Sequence, residues 1–106
     1  MERPISYTYP AFFYYDGDGI AIEFPDLPGA LSCARNTDEG MQNARECLGL
    51  HLFGMERDGD EIPKPSDIDA LKPDDDGVII FVEVFMPSVR DREKIRCLKE
   101  PFQQVV

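Results

Sequence analysis

The sequence predicts an α+β domain in the order β-β-β-α-β, with one long helix packed on one face of a mixed sheet. Three observations predict it. Short β-favouring segments separated by Gly and Pro turns fill the first 35 residues. One long stretch with helical periodicity follows. A nearly continuous apolar run at residues 78–86 is typical of a strand covered on both faces.

The first three strands follow from alternation and turn chemistry. Residues 5–15 are rich in aromatic side chains, and residues 16–19 read DGDG, which is typical of a tight turn. Residues 20–24 alternate apolar and polar side chains, so they pair with the first strand as a hairpin. The two prolines of residues 25–29 take the chain out of the sheet, and residues 31–35 return as a third strand.

The helix is predicted from its caps and its apolar stripe. Asn36 or Thr37 can serve as the N-cap, Asn36 and Glu39 have capping-box spacing, and Asp58-Gly59 is a natural stop. Apolar residues recur at steps of three and four along one face: Met41, Ala44, Leu48, Leu52 and Met55. This stripe predicts about four turns packed against the sheet.

The helix lies between the third and fourth strands, so we expect a right-handed crossover that places the last strand parallel to the first. A single helix covers only one face of a sheet. Because residues 11–15 and 78–86 carry large apolar groups on both faces, the second face would leave an exposed patch that is unusual for a monomer. We expect the C-terminal tail, a second copy or a different protein to close it.

Composition limits the classes of function. The net charge of −10 and the pI near 4.4 argue against a body that grips phosphate backbones. Apolar runs are too short to span a bilayer and the N-terminus lacks a signal-peptide core, which predicts a soluble, cytoplasmic protein. The three cysteines form no CxxC pair, and His51 is the only histidine, so we expect no metal and no cofactor.

Carboxylates are numerous enough that a metal-dependent nuclease has to be considered. Most of these acids adjoin Gly or Pro, where Asp is a turn former. The sequence contains no P-loop, no G-x-S-x-G and no dinucleotide fingerprint. We therefore expect a binding protein and not an enzyme.

The C-terminus has a different character from the rest of the chain. Residues 88–106 hold five basic and three acidic side chains, so the negative balance belongs to the preceding part. We divide the chain into a domain at residues 1–88 and a basic tail at residues 89–106.

Four segments together resemble the HicB family of antitoxins. They are YPAFF at residues 9–13, DGIAIEFPDLPG at 18–29, the helix with an acidic start at 37–59, and GDEIPKPS at 59–66. The resemblance covers most of the chain. It implies a partial RNase H-like fold that lacks the working acid cluster of that superfamily.

The resemblance also implies a partner, a HicA-like toxin that is a small, basic, mRNA-cleaving protein, and it makes a homo-oligomer an expectation. Many members of the family add a C-terminal domain that binds operator DNA. Here residues 95–106 depart from that pattern and are too short for such a domain, which puts DNA binding in doubt. No membrane is expected as a partner.

The hairpin turn and the loop after the second strand are the candidate toxin contacts. The residues are Asp16, Asp18, Glu23, Phe24, Pro25, Asp26, Leu27 and Pro28. The carboxylates would meet cations of the toxin, and the loop would supply an apolar rim. In the opposing interpretation, Phe24 and Leu27 belong to the core and the prolines only shape the loop.

Two other functions stay open beside toxin neutralisation. One is a self-associating domain without a toxin, or a transcriptional autoregulator. The remote alternative is a metal-dependent nuclease on an RNase H-like frame.

Overall fold

A computed structural model describes residues 3–74 and 76–105, with side chains as far as residue 96. The strands are β1 (Ser6–Asp16), β2 (Gly19–Glu23), β3 (Leu31–Ala34) and β4 (Val78–Phe85). The helices are α1 (Thr37–Asp58) and α2 (Met86–Val105), with a short 3-10 turn at Ile68–Ala70. The predicted α+β class and the β-β-β-α-β order are confirmed, whereas α2 was not predicted.

The four strands form one sheet in the order β3-β2-β1-β4. The expectation that β4 lies parallel to β1 in a mixed sheet is wrong, because every neighbouring pair is antiparallel. Residues 59–74 explain the reversal. This segment contacts β1 first at Tyr9 and then at Tyr14, so it runs along β1 and delivers β4 beside Phe13, from where β4 returns towards Ser6.

The predicted ends of α1 are confirmed. Asn36 is the N-cap, and its side chain accepts a hydrogen bond from the backbone N–H of Glu39 at 2.9 Å. Gly59 ends the helix in the left-handed region at φ 73°. The predicted stripe faces the sheet, where Ala44, Leu48 and Leu52 are fully buried.

Helix α2 begins before residue 88, the predicted boundary, and continues past it. Pro87 sits in the first turn, where a missing N–H costs no hydrogen bond. Val89 and Met86 belong to the same core cluster as α1 and the sheet. The division at residue 88 therefore falls inside a helix, and the function of residues 89–106 as a separate tail stays a prediction.

The sheet face opposite α1 is covered only in part. On β1, Phe12 is buried, and Asp74 and Gly77 lie against the neighbouring Tyr14. On β4, Phe81 is 47% exposed and Phe85 is 57% exposed, so this strand is not covered on both faces as predicted. The described side chains of α2 pack on the α1 side, so they do not close the open face.

None of the helices, as far as the structure describes them, is long and apolar enough to cross a membrane.

Candidate functional site

Two loops that are far apart in the sequence meet at the C-terminal end of α1. The carboxylate of Asp26, after β2, accepts a hydrogen bond from the backbone N–H of Ser66 at 2.9 Å and another from the Ser66 hydroxyl. The hydroxyl of Tyr9, on β1, donates to the backbone carbonyl of Pro63. These contacts join the FPDLPG and IPKPS segments into one structure.

Tyr9 is suited to this role because its side chain is buried. Burial first, and then the nearby Asp26 carboxylate, raise the pKa of Tyr9 above its usual range. The hydroxyl therefore stays protonated at neutral pH and remains a donor to Pro63.

The loop after β2 is held by its own backbone. The N–H of Phe24 donates to Ala30 at 3.2 Å and the N–H of Ala30 donates to Leu27 at 3.0 Å. Gly29 has φ 93°, a conformation that glycine adopts without steric cost. The loop is thereby a compact lobe and not an extended strap.

An open groove of about 780 Å³ lies beside this lobe, between it and the last turns of α1. Its apolar surface comes from Pro28, Leu50, Met55 and Pro63. Its polar surface comes from four acids and one histidine: Asp26, Asp58, Asp60, Glu61 and His51. Of the described residues that line it, none is Lys or Arg, so the groove presents negative charge around an apolar floor.

The four carboxylates of the groove differ in whether they already have a partner within the chain. Asp58 Oδ1 lies 3.2 Å from the Nε of Arg57, and Asp26 is engaged with Ser66. Asp60 and Glu61 are both exposed. Asp58 is exposed as well, but its carboxylate is already paired with Arg57.

The structure places the eight predicted contact residues in different environments. Phe24 and Leu27 are 2% and 1% exposed and belong to the core, so they support the lobe from beneath, and Leu27 also borders the groove. Pro25 and Pro28 are exposed on the lobe. Asp26 lines the groove while it also anchors Ser66.

The remaining predicted residues lie elsewhere. Asp16 and Asp18 line a second depression of about 570 Å³ near the end of β3. Glu23 accepts a hydrogen bond from Tyr14 at 3.2 Å, on the sheet face opposite α1. The length of β2, about 14 Å, separates the hairpin turn from the lobe, so the eight residues do not form one site.

Sequence reasoning missed the half of the groove that α1 contributes. Leu50 and Met55 were assigned to a helix, and Asp60 and Glu61 to a turn. The available signal was the acidic sequence at residues 58–61, which surrounds the helix stop at Gly59 and overlaps the GDEIPKPS segment.

A charged cluster at the end of α1 was also missed. Glu56 accepts hydrogen bonds from Arg90 at 2.7 Å and from Tyr7 at 2.8 Å. Arg90 also donates to the carbonyl of Pro4. The cluster ties α2 to α1 and to the start of the sheet, and thereby fixes the helix end that forms the groove.

Among the described residues, no group of three or more His, Cys, Asp or Glu side chains is close enough to hold a metal ion. The carboxylates of the turns therefore do not converge in the part of the chain that the structure describes.

Comparison with known proteins identifies the family. The family model for the HicB-like antitoxin of bacterial toxin-antitoxin systems matches residues 9–97. The chain belongs to the HicB-like antitoxin family. A curated relative, Antitoxin HicB 2 of Photorhabdus laumondii, is 36% identical over 58 residues, which are 55% of this chain and 42% of that protein. The chain spans less than half the length of the curated relatives it matches.

Solved structures of toxin-antitoxin complexes resemble the HicB-like fold described here. A toxin-antitoxin complex from Streptococcus pneumoniae contains a chain with a TM-score of 0.66 and 27% identity, over 74% of this chain and 69% of that one. A HicA3 and HicB3 complex contains one with a TM-score of 0.62 and 25% identity, over 74% and 98%. The fold is thus that of the HicB antitoxins, as the sequence resemblance implied.

Proposed function

We propose that this chain is an antitoxin that binds a HicA-type toxin and keeps it from cleaving mRNA. The family match supports an antitoxin, and the similar structures come from complexes of a toxin with its antitoxin. The action is stoichiometric binding and needs no catalysis by this chain. Because the toxin acts on mRNA, the proposal also implies that the protein works in the cytoplasm.

The observation that carries the proposal is the charge of the groove. Its described lining includes four carboxylates and no Lys or Arg, around an apolar floor. A small basic protein is the partner that this charge attracts, because complementary charge speeds encounter and penalises wrong partners. The apolar floor gives a side chain of the toxin an area that can be removed from water on binding.

Within this proposal the contacts come from the rim. Asp60 and Glu61 would meet cations of the toxin, and Pro25 and Pro28 would supply the apolar edge of the lobe. Phe24 and Leu27 would act from beneath, by holding the lobe in shape. The pair Asp16 and Asp18 would serve as a second acidic patch at the hairpin turn.

Three of the four basic side chains that the structure describes in α2 form ion pairs with acids of the same chain. Arg90 pairs with Glu56, Arg92 lies 3.6 Å from Glu46, and Arg96 lies 3.7 Å from Glu93. These pairs lower the positive charge that this helix can offer to a phosphate backbone. They favour protein binding over operator binding as the role of the described part of the chain.

An RNA-cleavage assay tests the proposal. The basic protein encoded beside this chain is incubated with RNA, and the native antitoxin is titrated into the reaction. We expect cleavage to stop near one equivalent of antitoxin. We expect the double variant Asp60→Lys with Glu61→Lys to need on the order of tenfold more protein, since reversed charges repel the partner.

The matched control is Asp67→Lys with Asp69→Lys, which reverses two exposed acids outside the groove. It should inhibit like the native chain. The variant Asp16→Lys with Asp18→Lys measures the contribution of the hairpin turn. Cleavage that continues at an excess of native antitoxin would overturn the proposed function, whereas equal loss in all three variants would overturn the assignment to the groove.

A further inference from the structure

The two edge strands of the sheet differ in how their backbone is protected. The order β3-β2-β1-β4 leaves β3 and β4 with one unpaired side each. An unpaired strand edge is a template for another strand, and natural proteins usually block it. A comparison of the two edges therefore shows where another chain could add.

The edge of β3 is blocked by side chains of α1. The Nδ2 of Asn43 donates to the carbonyl of Cys33 at 2.9 Å, and the thiol of Cys47 donates to the carbonyl of Leu31 at 3.5 Å. In the part of the chain that the structure describes, no side chain forms such a hydrogen bond with the backbone of residues 78–84. The longer edge, eight residues of β4, is therefore the open one.

The side chains of β4 do not deter strand addition either. Lysine, proline and bulges are the usual devices at an edge, and Glu83 is the only charged residue in this strand. Val78, Phe81 and Phe85 are 45%, 47% and 57% exposed. Ile5, which accepts the hydrogen bond that begins α2 at Met86, adds a fourth apolar side chain at 66% exposure.

The charge of the molecule indicates which partner fits this edge. A basic partner is attracted to carboxylates, and β4 offers one where the groove offers four. Two copies of a chain with net charge −10 repel each other over most of their surfaces. The nearly uncharged β4 is where two copies approach with the least repulsion, and an apolar edge is complementary to itself.

We propose that β4 pairs antiparallel with β4 of a second copy, which joins two four-stranded sheets into one continuous sheet. Each strand then satisfies backbone groups of the other, and Phe81 and Phe85 of the two copies lie on one shared face. A two-fold axis at Phe81 places the two Phe81 side chains opposite each other and keeps the two Glu83 side chains four positions apart, about 13 Å along the strands. This dimer leaves the acidic groove of each copy free.

The mass of the isolated protein, measured by light scattering after size-exclusion chromatography, tests this pairing. We expect twice the 12.0 kDa of one chain, with little change at high salt because the contact is apolar. In Phe81→Lys, two cations meet across the axis, and the mass should fall to that of one chain. Circular dichroism confirms that the exposed substitution leaves the fold intact.

The matched control is Leu31→Lys on the blocked edge, at 67% exposure, which should remain a dimer. A monomer at every concentration of the native protein, or a Phe81→Lys variant that stays dimeric, would overturn the proposal. If Phe81→Lys instead abolishes toxin binding by a monomeric native chain, the edge belongs to the toxin. If a monomeric Phe81→Lys variant still inhibits the toxin, the proposed function does not depend on the dimer.

Discussion

Glu56 is a carboxylate of α1 whose side chain is only 2% exposed. Burial by itself raises the pKa of Glu56, but the hydrogen bonds from Arg90 and Tyr7 outweigh it and hold the pKa below its usual range. Burial and the Glu56 carboxylate raise the pKa of Tyr7 to about 12. At neutral pH, Glu56 and Arg90 are therefore charged and Tyr7 is neutral. These are the states that the hydrogen bonds require.

The substitution Glu56→Gln tests how much this cluster contributes to the free energy of unfolding. The variant leaves Arg90 without its carboxylate, and we expect the free energy of unfolding at neutral pH to fall by about 2 kcal/mol. Urea denaturation measures it. The control is Glu39→Gln, which breaks the exposed pair with Arg35 and should cost much less because solvent screens it. Equal losses in the two variants would contradict the structural role of Glu56.

The same cluster predicts a pH dependence. The pKa of Glu56 is lowered on folding, so its contribution is fully present above the unfolded value of 4.5 and is lost as pH falls through the folded value. The difference in unfolding free energy between the native chain and Glu56→Gln should thus be constant from pH 7 to about pH 5 and shrink in more acidic buffer. A difference that grows on acidification would show that the sign is wrong.

At the scale of elements, two glycines of α1 distinguish close packing from free surface. A Cβ at Gly49 would lie 3.0 Å from Val89 Cγ2 and 3.1 Å from Val84 Cγ2, whereas a Cβ at Gly54 would meet nothing within 4 Å. We expect Gly49→Ala to destabilise the fold by about 1 to 3 kcal/mol through overpacking. Gly54→Ala should stabilise it by about 0.5 to 1 kcal/mol. Thermal unfolding of both variants measures the contrast, and a stabilised Gly49→Ala would contradict the packing of α2 on α1.

The contact between the two loops supports a second prediction at this scale. Ser66→Ala removes the hydroxyl that donates to Asp26, and we expect a loss of about 1 to 2 kcal/mol in the free energy of unfolding. Ser88→Ala is the control, because its hydroxyl makes one exposed hydrogen bond to Phe85. Proteolysis near residues 60–66 should accelerate only in Ser66→Ala. Unchanged stability and proteolysis would show that the contact does not hold the lobe.

Local chemistry predicted the elements that depend on nearby residues. The cap at Asn36, the stop at Gly59 and the hairpin are all determined within a few positions of the chain. Sequence reasoning did not find the direction of β4, because that direction depends on contacts of Tyr9 and Tyr14 with residues more than fifty positions away. Helix α2 was missed because its stability depends on packing of Val89 against Gly49.

The candidate site shows the same division. The two motif segments were recognised separately, but the hydrogen bonds of Asp26 with Ser66 join residues forty positions apart. Phe24 and Leu27 could not be distinguished from surface residues by pattern alone, since an apolar residue next to a proline serves either role. The groove became visible only when the lobe and the end of α1 were placed side by side.

At the scale of the whole molecule, an acidic body with net charge −10 carries two kinds of surface. The groove is negatively charged and suits a basic partner, and the edge of β4 is apolar and suits a second copy. Measurements at low and at high salt distinguish these two contacts, because screening weakens the attraction between charges and leaves apolar contacts nearly unaffected.

The most direct test of the central claim is the dissociation constant of this chain with its co-encoded basic partner, measured by titration calorimetry at low and at high salt. We predict a one-to-one complex that weakens markedly as salt rises and that weakens further in the Asp60→Lys, Glu61→Lys variant. The absence of a complex at low salt, or an affinity that neither salt nor the groove variant changes, would contradict the account.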